Sequence, residues 1–190
     1  MGIQIHNGLE LWRSRVYNEG EALRAGAWYG AAGSNTHTLA ANRLYGAYLA
    51  VPRDVVVDRI GCSVYTADNE KIVRLGIYED RDRDGYPDCL VLDAGVVDIS
   101  AAGDKEITIG EALGAGSYYI AFLSDGAPAL YANTAPRTRT PVGMIQAKPS
   151  LYTHTWWIDH ACGPLPDPFP GSAVADYREY QVGIRVACVL

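Results

Sequence analysis

The chain has 190 residues, 48% of them apolar, which is enough for one domain with a true core and excludes disorder throughout. With 22 acidic against 16 basic side chains the formal charge is -6, and no stretch gathers Lys or Arg into the dense stripe that phosphate neutralisation needs, so no nucleic acid partner is expected. No apolar run reaches the length of about 18 residues that a membrane helix requires, and Met1 to Asn7 lack a basic head and a continuous apolar segment, so synthesis in the cytoplasm without membrane insertion is expected.

In chain order, residues 1–27 come first. Ile3, Ile5, Leu9, Leu11 and Trp12 are apolar without obvious packing partners nearby in sequence. They read as an arm that docks on a neighbouring subunit or larger surface, with a first strand of the same sheet as the competing reading. Asn18 to Leu23 carry a single helical turn. From Leu44 onward, short β-branched and aromatic stretches alternate with Gly, Asp, Asn or Pro at intervals of about 8 to 15 residues, the rhythm of an all-β antiparallel sandwich, here residues 28–190.

Within Lys71 to Tyr78, Val73, Leu75 and Ile77 share one face while Arg74 and Tyr78 share the other, as in a half-buried strand. Ile107 and Ile109 repeat that period. Ser117 to Leu123 is apolar on both faces and predicts a central strand covered from two sides. The stretch from Leu151 to Gly171 carries Tyr152, Trp156 and Trp157, then Pro164, Pro166, Pro168 and Pro170. Prolines at alternate positions cannot donate to a ladder, so an extended excursion outside the compact sandwich is expected. Val182, Ile184, Val186 and Cys188 alternate with smaller or polar residues and predict a closing strand with Cys188 facing the core.

The sharpest local chemical signal is Asp80-Arg81-Asp82-Arg83-Asp84-Gly85-Tyr86-Pro87-Asp88. Carboxylates at alternate positions followed by a turn-forming Gly can converge oxygens on one hard cation. Asp80, Asp82, Asp84, the Tyr86 carbonyl and Asp88 are therefore candidate ligands for a structural Ca²⁺, although Val91 stands where a bidentate Glu would complete the loop. The competing reading is a hairpin loop whose acids are balanced by Arg81 and Arg83. Tyr152, Trp156 and Trp157 are candidate flat faces for a glycan or a protein partner, set against burial at the sandwich end or in a subunit contact. His154, Asp159, His160 and Cys162 are crowded, but their spacing fits no recognised metal motif. Cys62, Cys89, Cys162 and Cys188 lie far apart and read as isolated thiols. No nucleophile elbow, Cys–His pair or Gly-rich phosphate cradle appears, so no catalytic residue is assigned and a non-enzymatic protein is expected.

A longer string adds a resemblance. It runs from Thr38 to Gly46 and through Val51-Pro52-Arg53 and Val57-Asp58-Arg59-Ile60-Gly61. It continues in Arg74 to Tyr78, Gly85-Tyr86-Pro87, Leu90 to Gly95, Lys105 to Ile109, Gly116 to Ala121, Ser124-Asp125-Gly126 and Gly163 to Pro166. Together these resemble the β-sandwich module of tailed-bacteriophage virion structural proteins, found in tail-fibre, minor tail and capsid-surface proteins. The resemblance implies a jelly-roll-like sandwich on the virion surface, a homo-oligomer with a trimer favoured, and other virion proteins (major capsid or tail) as partners. A capsid decoration or head-fibre protein is the expected role, docked through Ile3, Ile5, Leu11 and Trp12. A tail-associated module recognising host surface glycans is the alternative. The Asp-rich loop, Cys62 and Cys89 depart from the family pattern.

Overall fold

The computed structural model describes residues 24–30, 35–133 and 155–190. Among these residues the regular structure is entirely β: β1 Trp28–Gly30, β2 Asn35–Thr38, β3 Arg43–Val51, β4 Val55–Thr66, β5 Ile72–Glu79, β6 Cys89–Asp98, β7 Gly103–Leu113, β8 Gly116–Ser124, β9 Ala129–Asn133, β10 Thr155–Asp159, β11 Val174–Asp176, β12 Glu179–Tyr180 and β13 Val182–Val189. No helix of the described residues is long and apolar enough to cross a membrane.

Two antiparallel sheets form the sandwich. Sheet A follows the order β1-β13-β4-β9-β12, with β7 also on β4 and β2 also on β9; sheet B follows β11-β10-β3-β8-β5-β6. β-Branched and aromatic residues fill the inward positions, where such side chains pack best on a pleated surface. Ile60, Val57, Leu75, Ile77, Ile120 and Phe122 meet between the sheets. Tyr45 stacks on Phe122 at 5.0 Å between ring centroids, and Tyr180 tilts against both, at 5.4 and 5.0 Å.

The expectation for Ser117 to Leu123 holds. β8 lies between β3 and β5, pairing with both. Its Tyr118, Ile120 and Phe122 enter the inter-sheet core, whereas Tyr119, Ala121 and Leu123 join a second cluster on the outer face of sheet B. That second cluster contains Leu165 and Phe169, so the proline-rich stretch does not leave the sandwich as expected. It crosses sheet B as a strap and covers part of its outer face.

The strap seats in sockets that glycines leave open. A Cβ on Gly76 would collide with Leu165 Cδ1, and one on Gly46 would lie 3.5 Å from the Phe169 ring. Polar staples fix the strap along its length. The Tyr78 hydroxyl donates to the Pro166 carbonyl at 2.6 Å, and the Phe169 amide donates to the Asp88 carbonyl at 2.8 Å. The Leu165 amide donates to Asp93, whose carboxylate also receives the Arg74 guanidinium. Tyr78 is therefore fully buried instead of facing water opposite Val73, Leu75 and Ile77.

A further expectation is corrected. Cys188 is exposed, because the β13–β4 register shifts between Val186 and Cys188, and one extra residue reverses the alternation beyond it. β1 begins at Trp28, and the two residues before it are tied to β13. The Gly26 amide donates to the Val186 carbonyl at 2.7 Å and the Val186 amide to the Ala27 carbonyl at 3.0 Å. The predicted turn at Asn18 to Leu23 and the arm residues Ile3, Ile5, Leu9, Leu11 and Trp12 lie outside the described residues.

Candidate functional site

The Asp-rich loop joins β5 to β6 beneath the strap. Asp80 is buried, and its two carboxylate oxygens accept the amides of Asp84 at 3.1 Å and Gly85 at 3.2 Å. Gly85 sits at φ +84, the left-handed backbone that the turn demands and glycine tolerates. Asp84 caps the Tyr86 amide at 3.0 Å, and Asp88 accepts the Cys89 thiol at 3.3 Å. Burial raises the Asp80 carboxyl above its ordinary range, with the Asp84 charge adding to the effect and the backbone amides opposing it.

The loop thus spends Asp80, Asp84 and Asp88 on its own amides and thiol. Asp82 is exposed. Among the described residues no three His, Cys, Asp or Glu side chains converge as a ligand set for a metal ion. The alternation legible in the sequence serves a turn that satisfies its own backbone, and the Gly85 carbonyl that faces away from it accepts the Trp156 indole N–H at 2.9 Å.

Trp156 is therefore structural. It is only 5% exposed, 4.8 Å from the Tyr86 ring, and it belongs to the cluster beneath the strap. This corrects the expectation of an exposed plate at that position. Trp157 is partly buried against the inter-sheet core, and the Arg43 guanidinium lies 3.8 Å over its ring while donating to Asp159 at 2.8 Å. Tyr152 and His154 lie outside the described residues. His160 and Cys162 are held by backbone bonds to Asn42, not by a shared ligand.

A different aromatic is displayed. Trp28 on β1 is 46% exposed on the outer face of sheet A. Sequence reasoning missed it because β1 has only three residues and carries no alternation to read. The register explains its setting. Gly30 pairs with Gly183, Gly183 with Gly61, and Gly61 with Glu106, so a row without side chains runs across β1, β13 and β4 to β7. The Trp28 ring leans over this row, 3.1 Å from where a Gly61 Cβ would sit.

A groove of about 370 Å³ results, lined by Trp28, the glycine row, Ser63, Asp104, Glu106 and Gln181. The Ser63 hydroxyl donates to Asp104 at 2.7 Å, and Glu106 stands 3.4 Å from the Arg59 guanidinium. Asp104, Glu106, Thr108 and Gly110 are all exposed along β7, so no described segment covers this face of sheet A, while the strap covers part of the outer face of sheet B.

All four cysteines are free, at differing depths. Burial pushes the Cys62 thiol up to about 12 and also raises Cys162. Neither is an activated nucleophile, since the thiolate is the reactive form. Comparison of the chain with protein-family models and with curated proteins found no match to either.

Proposed function

We propose that the protein is a non-enzymatic surface component of a tailed-phage particle, a jelly-roll-like block that works by attachment to other virion proteins. The observation that carries this reading is the asymmetry of the sandwich. The strap covers part of the outer face of sheet B and buries Leu165 and Phe169, whereas no described segment crosses the outer face of sheet A. A body with one strapped and one presented face is suited to sitting on a larger surface, and the sequence string from Thr38 to Gly126 resembles modules that do so.

Arg24 leads directly into β1 at the edge of sheet A. Ile3, Ile5, Leu11 and Trp12, outside the described residues, would supply the apolar area for docking. Repeated copies on a symmetric shell would multiply a modest single contact, and a trimer would match a three-fold site.

The test uses particles from which the wild-type gene has been removed, complemented with the full chain or with a chain lacking residues 1–23. The full chain should be found on the exterior by gold labelling. The truncated chain should fold, with an unchanged circular dichroism spectrum, and be missing from particles. Incorporation of the truncated chain would overturn docking through the arm; absence of the full chain from particles would overturn the virion role.

A further inference from the structure

We propose that the Trp28 groove on sheet A is a binding site for a neutral pyranose, with the indole as the stacking face and Asp104, Glu106 and Gln181 as the hydroxyl-binding rim. The proposal competes with the attachment reading for the same outer face of sheet A and rests only on the geometry of that face.

Three observations meet there. The first is the floor: Gly30, Gly183 and Gly61 lie side by side in register, so the strip carries no side chain of its own and the Trp28 ring lies across its Gly61 end. The strip has no room for ordinary residues, since a Cβ on Gly61 would lie 2.6 Å from the Lys105 carbonyl oxygen and one on Gly183 2.6 Å from the Tyr29 carbonyl oxygen. The second is the plate. Trp28 keeps nearly half its surface in water while one edge is packed down against Gly61. A ring immobilised in this way pays little further entropy when a flat ligand settles on it.

The third is the rim. Asp104 and Glu106 point outward from alternate positions of β7, and Asp104 is oriented by the Ser63 hydroxyl, itself only 7% exposed. Carboxylates beside an aromatic face suit a pyranose, whose axial C–H groups form an apolar patch and whose equatorial hydroxyls donate to anionic oxygens. The groove volume of about 370 Å³ falls in the lower part of the range for small-molecule sites.

The experiment titrates the full-length protein with glucose, galactose, mannose, rhamnose and N-acetylglucosamine and their short oligomers, read by saturation-transfer NMR and by tryptophan fluorescence. At least one neutral sugar should bind at millimolar concentration or below. Trp28→Ala should weaken it about tenfold or more and Asp104→Asn severalfold, and Tyr177→Ala, exposed and outside the groove, should leave it unchanged. All three side chains lie at or near the surface, and an unaltered circular dichroism spectrum confirms that each variant folds. No binding across the panel at millimolar sugar would overturn the proposal. So would binding that survives Trp28→Ala within twofold, or a change of sedimentation coefficient in Trp28→Ala, which would make this face a contact between copies.

Discussion

Gly76 and Leu165 meet where the strap crosses β5, and neither tolerates change for the same geometric reason. Leu165→Ala empties the socket and should destabilise the fold by about 2 to 5 kcal/mol, as for other buried leucines. Gly76→Ala drives a methyl group into Leu165 Cδ1 and toward the Leu92 carbonyl. The resulting overpacking should cost about 1 to 3 kcal/mol. Because one side chain is common to both effects, Gly76→Ala should cost less in the Leu165→Ala background than in the wild type; urea denaturation of the four proteins measures this coupling.

Asp80 makes a second residue-scale prediction. Its carboxyl is raised in the folded state, so the native protein holds that proton more tightly than the unfolded chain. The associated stability is fully present below the ordinary carboxylate value of about 4 and is lost as pH rises through the raised value. Urea midpoints of the wild type, taken relative to Asp80→Asn, should therefore fall as pH rises above about 4; a constant difference would refute it. The thiols should sort by depth as well. Cys188 should react rapidly with Ellman's reagent, whereas Cys62, buried and pushed up to about 12, should react only after unfolding.

At the scale of elements, the strap is held by side-chain staples in place of a ladder. Tyr78→Phe removes the donor to the Pro166 carbonyl, leaves the ring in place, and should cost about 1 kcal/mol while speeding amide exchange at Leu165 and Phe169. Unchanged exchange at those amides would show that apolar packing alone fixes the segment. The strands themselves were legible because hydrophobic alternation with a period of two survives in a single sequence; Val73, Leu75 and Ile77 lie in the core as that pattern requires. Cys188 was not legible, because a one-residue bulge reverses alternation without leaving a compositional mark. The strap was misread for a different reason. Four prolines do exclude ladder bonding, but the sockets that receive Leu165 and Phe169 come from Gly76 and Gly46, far away in the chain, and only register brings them together. The same holds for the glycine row beneath Trp28.

The whole molecule is a stack of three layers over part of its area: sheet A, sheet B and the strap. Nearly every pairing joins residues distant in sequence, as in β3–β8 and β10–β3. Closing such loops precedes any reward from contact, so refolding should take milliseconds to seconds, and stopped-flow fluorescence of Trp156 moving under the strap reports it. A microsecond phase carrying the full amplitude would contradict this. The rhythm of apolar stretches and turn residues already pointed to an all-β sandwich. Which of its two broad faces the strap crosses could not be read that way, because its sockets are set by register.

The outward turn of Cys188 has a practical consequence. It places a lone sulfhydryl two positions from Leu190, on the bulged end of β13 and away from the Gly183 end of the same strand. A maleimide dye or gold cluster attached there, in a chain carrying Cys89→Ser and Cys162→Ser, would mark the end of β13 in each copy without intruding on indole, carboxylates or proline segment. Distances between such tags would then report how many copies assemble and how they are arranged.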